Sequence, residues 1–218
     1  IVPVVNLNNA YNQPTNGGSS INLNGFIAKF NSSNSQVWGT YIGGSGSDII
    51  TTMTTDINNN LYVLGWSFSP TTAPQLCGTA CTSNSNPGFF PIADPQNGVA
   101  YLQQHTSTPS QRDAFVAKFN VNDALVWSTM YGGGADEVYG EGHDGGIAVD
   151  NNGAIYITAS TNSDLSSGDI PIRPTTQPSD QFVYWQNVSG GGRDIFVAKF
   201  NSSYDLVYST YYGGNGAD

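Results

Sequence analysis

The chain has 218 residues and a net charge of −10, with charged side chains at only 10% of its positions. That balance argues against nucleic acid and against an anionic membrane face as partners, because both are held by clustered Lys and Arg. No stretch approaches the roughly 20 apolar residues that span a bilayer, so membrane insertion is not expected; the length suits one large all-β domain or two small ones.

Residues 1–23 read as the tail of a connector. Four short strands follow within 24–68, near 25–31, 36–43, 49–56 and 61–67, each alternating apolar and polar residues between Gly, Asn and Ser. FIAKFN at 26–31 opens this unit and QVWGTYIGG at 36–44 continues it. A connector rich in Pro, Ser and Thr covers 69–112. The unit returns at 113–161, with FVAKFN at 115–120, LVWSTMYGG at 125–133 and strands expected near 114–120, 125–132, 145–150 and 154–160. A second connector covers 162–193. The first half of a third unit fills 194–218, with FVAKFN at 196–201 and LVYSTYYGG at 206–214.

In every copy nine residues separate the repeated lysine (Lys29, Lys118, Lys199) from the aromatic that follows it (Trp38, Trp127, Tyr208). Fixed internal spacing marks a repeat architecture. Four antiparallel strands per unit make one blade of a β-propeller, and a blade buries both of its faces against neighbours. Phe26, Ala28 and Phe30 fall on one face, Ile27 and Lys29 on the other. The expected fold is all-β: a β-propeller of four-stranded antiparallel blades, about two and a half of them in an incomplete ring, cut from a longer polypeptide. Asn59 aligns with Gly153, which predicts a turn residue at positive φ.

All the lysines of the chain occupy that one repeat position. Each is expected to pair with a carboxylate of its own repeat in a structural role. Cys77 and Cys81 lie in QLCGTACTS. A local Cys77–Cys81 disulfide, consistent with an oxidising exterior, is the leading reading; a pair of free thiols is the alternative. A zinc site lacks a second ligand pair, since His105 stands alone.

DAFVAKFN at 113–120, LVWSTMYGG at 125–133 and GIAVDNNGAIYIT at 146–158 return at 26–64 and, in part, at 194–218. The connectors share SPTTAPQ at 69–75 and RPTTQPS at 173–179. Together these phrases resemble the SBBP repeat, the seven-bladed beta-propeller repeat of bacterial secreted and surface proteins. The resemblance implies extracellular or cell-surface placement, in exported proteins of Bacteroidetes and other bacteria that carry adhesion-like modules and type IX secretion signals. It brings no catalytic residues. The chain departs from the pattern at TTMTT (51–55), where the second unit has apolar GIAV (146–149), and at an insertion near YGEGHD (139–144).

Several motifs could carry chemistry. GGSGSD at 43–48 and GGNGAD at 213–218 fit the G-G-x-G-x-D pattern of calcium-binding β-rolls, whose oxygen ligands suit a hard cation; GGGADE at 132–137 puts Glu137 where Asp48 stands. The competing reading is a tight glycine turn held by its carboxylate. Asp56, Asn58 and Asn60 have the alternating oxygens of a calcium loop without its distal Glu, and Asp150 with Asn152 is the counterpart; Asx hairpin turns look the same. Glu137, Glu141, His143 and Asp144 could form a metal or acid–base site or a solvated loop. Tyr184 and Trp185 beside Gln186 and Asn187 could stack on and hydrogen-bond a sugar, as could Phe89, Phe90 and Tyr101 in the first connector; buried satellite cores are the alternative.

Ca²⁺ is the one cofactor these motifs bring forward. No nucleophile elbow, phosphate loop or metalloprotease motif is present. W-x-T-x-x-G-G is similar to the tryptophan-docking repeats of quinoprotein propellers, a weaker resemblance that implies an enzyme with a closed ring and an axial cofactor. The expected function is a non-enzymatic structural or adhesive module on a bacterial surface. Its partners would be the rest of a longer chain or neighbouring surface proteins. The alternative is a propeller that binds or processes carbohydrate, with the connectors forming the binding face and glycans as partners.

Overall fold

Hydrogen bonding groups the strands half a unit out of phase with the sequence repeat. The computed structural model describes residues 3–17, 21–76, 80–105, 111–138 and 145–218. The described strands are β1 (Gly25–Phe30), β2 (Gln36–Ile42), β3 (Asp48–Thr55), β4 (Leu61–Ser67), β5 (Gln75–Leu76), β6 (Ala93–Asp94), β7 (Asp113–Phe119), β8 (Leu125–Tyr131), β9 (Gly146–Val149), β10 (Ile155–Thr161), β11 (Asp194–Phe200) and β12 (Leu206–Tyr212). β1 and β2 form a two-stranded sheet, β3-β4-β7-β8 a four-stranded one and β9-β10-β11-β12 another. β5 and β6 pair in parallel within the first connector. The pairs in the three main sheets are all antiparallel, and no helix occurs among the described residues. The fold is all-β, built of propeller-type blades.

The blades expected at 24–68, 113–161 and 194–218 are therefore redrawn. The last two strands of one sequence unit join the first two of the next: Leu61 lies opposite Phe119 and Ser67 opposite Asp113, and Ile155 lies opposite Phe200. A repeat keeps its period under any cyclic shift, so self-similarity alone sets the period and leaves the phase open. The long connectors join strands of one sheet. The short glycine turn between Ile42 and Asp48 carries the chain from one sheet to the next.

Each Phe-x-Ala-Lys-Phe strand meets its hairpin partner with a register shift at the same place, Lys29/Phe30, Lys118/Phe119 and Lys199/Phe200. The three hairpin turns repeat a left-handed residue, Asn34 at φ 59, Asp123 at φ 62 and Tyr204 at φ 68. A side-chain carbonyl braces each turn: Asn31, Asn120 and Asn201 accept backbone N–H groups two and four residues on. Asn59 and Gly153 are both at positive φ, 61 and 81, as their alignment predicts.

The pleat divides the middle sheet between two cores. Val63, Phe115, Ala117, Phe119, Leu125 and Met130 pack with Ile27, Trp38 and Ile42 of β1–β2. On the other face, Tyr62, Leu64, Val116, Trp127 and Tyr131 pack with Ile155, Ile157, Phe196, Ala198 and Phe200 of the following sheet. The Phe-x-Ala-x-Phe face of one blade thus covers the aromatic face of the blade before it. Full burial of one such Phe stabilises by about 1.5–3 kcal/mol.

Candidate functional site

Acidic residues sit at one end of the junctions between sheets. Asp48, the first residue of β3, is fully buried. Its carboxylate accepts the Gly44 N–H at 2.9 Å, the Ser69 hydroxyl at 2.7 Å and the Ser67 hydroxyl. Ser67 is its cross-strand neighbour in β4. At the next junction Glu137 is equally buried. It accepts the Gly133 N–H at 3.2 Å, the Thr161 hydroxyl at 2.9 Å and the Ser163 hydroxyl. Asp113, also buried, lies beside it: a methyl group added to Gly132 would fall 2.3 Å from Glu137 Oε2 and 2.8 Å from Asp113 Oδ1. Only glycine lets the backbone pass there. Burial pushes Asp48 up to about 6, against the donors of Ser67, Gly44 and Ser69. Burial, and then the neighbouring Asp113, pushes Glu137 well above the usual carboxylate range.

The lysines occupy the other end of the same strands. Lys29 Nζ donates to both carboxylate oxygens of Asp123, at 2.8 and 3.0 Å. Lys118 Nζ donates to the Tyr204 hydroxyl at 3.0 Å and lies over the rings of Tyr62 and Tyr204. Lys199 lies 5.0 Å over the Tyr156 ring. The expected carboxylate partner within the same repeat is thus corrected. Lys29 and Lys118 reach the left-handed turn residue of the next repeat, Asp123 or Tyr204, and Lys118 and Lys199 each face a tyrosine on the neighbouring strand of their own sheet. The Asx turns complete the row. Asp56 accepts the Tyr62 hydroxyl and Asp150 the Tyr156 hydroxyl, each at 3.1 Å.

A third recurring device lies in the connectors. Tyr-x-Gln occurs at Tyr11–Gln13, Tyr101–Gln103 and Tyr184–Gln186, and in each the phenol donates to the glutamine Oε1 two residues on. The glutamine backbone N–H donates at 2.8 Å to Thr40, Thr129 or Thr210 of the outer strand. The tyrosine carbonyl accepts from Trp38, Trp127 or Tyr208. Each connector is thereby clasped to the outer strand it crosses.

Residues 37–69 match the family model of SBBP, a beta-propeller repeat. This stretch of the chain is an SBBP repeat. It runs from β2 through β4 and contains the Gly43–Gly44 turn, Asp48 and the Ser67 and Ser69 hydroxyls, so one buried carboxylate and its donors lie within a single SBBP repeat. No curated protein matches the chain.

Against the SBBP framework the expected site residues separate. Asp48 and Glu137 belong to different junctions and are surrounded by N–H and O–H donors. Asp56 binds the backbone N–H of Asn58 and Asn60 and the Asn60 side chain; Asp150 likewise binds the N–H of Asn152 and Ala154. These hydrogen bonds, led by that of Ala154, hold Asp150 below the ordinary carboxylate range. Among the described residues no three His, Cys, Asp or Glu side chains converge on a metal position. Tyr184 and Gln186 are the third connector clasp. Trp185 donates its Nε1–H to the Pro174 carbonyl at 3.0 Å, and Asn187 is exposed. Phe90 is buried at 4.6 Å from Phe115, while Phe89 lines a cavity in the first connector. Glu141, His143 and Asp144 lie outside the described residues, as does Cys77; Cys81 is disulfide-bonded. Sequence reasoning missed the Tyr-x-Gln clasps and the Ser67/Ser69 and Thr161/Ser163 hydroxyl pairs, although both recur as short phrases, Y-x-Q and [ST]-x-S.

Proposed function

We propose that the chain is a non-enzymatic β-propeller module of a larger secreted or surface-exposed bacterial protein, serving a structural or adhesive role. One observation carries this reading: the acid–hydroxyl cradle, the lysine position and the Tyr-x-Gln clasp all recur from repeat to repeat, with side chains bound to the fold itself. A catalytic centre needs a constellation that occurs once and faces substrate. The disulfide at Cys81 supports placement in an oxidising compartment. The test pairs a glycan array with a calcium titration of the melting temperature, both on the intact chain. A flat array and a flat titration support the structural role. A rise in melting temperature with calcium would assign a metal-binding role, because a ligand of the folded state stabilises it by mass action.

A second reading is favoured by a cavity of about 340 Å³ in the first connector, lined by Thr72, Gln75, Asn84, Asn86 and Phe89 among others. An aromatic wall beside amides is the surface that recognises a sugar ring. Binding of one glycan on the array, lost in Phe89→Ala, would establish it.

A further inference from the structure

A histidine side chain closes the base of the connector that runs from β4 to β7. The last pair of that ladder is Ser67 opposite Asp113. Two residues further out on each strand, the carbonyl oxygens of Ser69 and Gln111 meet opposite nitrogens of the His105 ring, Nδ1 at 3.0 Å and Nε2 at 3.1 Å. The His105 backbone N–H donates to the Thr71 hydroxyl at 2.8 Å. A carbonyl oxygen can only accept. A neutral imidazole donates from one nitrogen and turns a lone pair outward at the other, whereas the imidazolium donates from both. The ring therefore satisfies both carbonyls only when it carries the second proton.

We propose that His105 is a proton-operated bracket joining the two ends of the first connector. Protonated, it ties Ser69 to Gln111; neutral, it holds one of them and sets a lone pair against the other. The other connectors lack the histidine: the Tyr-x-Gln spacing places Thr15 and Val188 at its position. There the carbonyl of Ser163, the counterpart of Ser69, accepts from the Tyr211 hydroxyl. Burial pushes that phenol further up, so it keeps its proton across neutral pH, whereas histidine is the unperturbed side chain that changes charge between about pH 5 and 8. The segment held by the bracket leads into the connector cavity. Thr71 bridges to Phe90, the Phe90 N–H donates to the Pro70 carbonyl at 2.9 Å, and Thr72 and Phe90 both line the cavity. Two charged groups flank the bracket. Asp48 of β3 accepts the Ser69 hydroxyl, and its carboxylate and the imidazolium attract. Arg112 follows Gln111, but its guanidinium lies over the Trp66 ring at 5.1 Å and reaches toward Asp136. The bracket is thus closed on the acid side and opens as the pH rises through the titration of the ring.

NMR of the whole, nitrogen-labelled chain tests this. In His143→Gln, which leaves one of the two histidines, both ring N–H protons of His105 should be visible at about pH 5, shielded by their carbonyl acceptors from the fast exchange of an exposed imidazolium. Hydrogen exchange then reads the bracket itself. Protection factors of the His105 and Phe90 amides should fall about tenfold or more between about pH 5 and 8, as one hydrogen bond to a charged group is lost. Asp48 changes charge in the same interval, so the fall should persist in Asp48→Asn and disappear in His105→Gln. A ring with one or no visible N–H on the acid side, equal protection at the two pH values, a fall that survives in His105→Gln or one that vanishes in Asp48→Asn would each overturn the proposal. The ring protons are read with His105 in place, so they decide the matter even where His105→Gln does not fold.

Discussion

Lys118 donates a hydrogen bond of 3.0 Å to the hydroxyl of Tyr204, joining the middle sheet to the hairpin turn of the next one across 86 residues of chain. Tyr204 in turn stacks on Trp127 at 5.1 Å and 18°. The lysine is thus a latch between blades. Lys118→Met should keep the fold and lower stability by about 1.5–3 kcal/mol, the range for a hydrogen bond with a charged partner. In a chain of this size that is a fall of roughly 2–4 °C in melting temperature per kcal/mol. Urea unfolding that gives an unchanged midpoint would contradict the latch.

The three phenylalanines at the end of the repeated strand provide a graded series. Phe119 and Phe200 are fully buried, whereas Phe30 is 59% exposed. Phe119→Ala should cost about 3–5 kcal/mol, the usual loss for a large core aromatic. Phe30→Ala in dilute solution should cost much less. Chemical denaturation of both variants checks the ratio; equal losses would mean that the two strands do not share one packing scheme.

Much of this arrangement was legible in the sequence, and the reasons for the rest are specific. The period-2 alternation in Phe-x-Ala-Lys-Phe gave the strands and their two faces, because the pleat leaves no other placement for such a pattern. The phase of the blades was not legible, since pairing of β4 with β7 spans a connector whose length says nothing about where its ends meet. The partner of each lysine was hidden for the same reason: Asp123 and Tyr204 are remote in sequence and chemically unlike. Tyr184 and Gln186 looked like a sugar site when read alone. Read beside Tyr11 and Gln13 they are a clasp, and only the shared spacing of three weakly similar phrases could have disclosed that.

The buried carboxylates make stability depend on pH. Asp48 holds its proton up to about 6 in the folded chain, against an ordinary value near ~3.9. The folded state therefore binds more protons than the unfolded state in that interval. Its contribution is fully present below about pH 4 and is lost as the pH rises through about 6. Glu137, raised further, extends the loss to higher pH. Melting curves at constant ionic strength should show Asp48→Asn flattening the acidic part of the profile and Glu137→Gln the part above it. Variants that run parallel to the wild type at all pH values would refute the assignment.

The connector clasps can be tested one at a time. Gln103 donates to the Gly132 carbonyl at 2.7 Å and accepts from Tyr101. Gln103→Leu leaves that half-buried carbonyl and phenol without their partner, and should cost about 1–3 kcal/mol. Gln186→Leu acts on the exposed clasp and should cost less. Hydrogen exchange should show the loss of protection confined to the altered connector and the outer strand beneath it.

The left-handed turn residue has a consequence for how such a chain can be rearranged. Its backbone conformation is the same in all three hairpins while its side chain is Asn, Asp or Tyr, so every blade carries the same socket and a different key. Exchanging blades would leave the architecture intact and mismatch the keys: Lys118 would face a carboxylate in place of the phenol that now accepts its hydrogen bond, and Lys29 a phenol where it now has a counter-charge. The order of the blades is thus recorded in single side chains on a common frame.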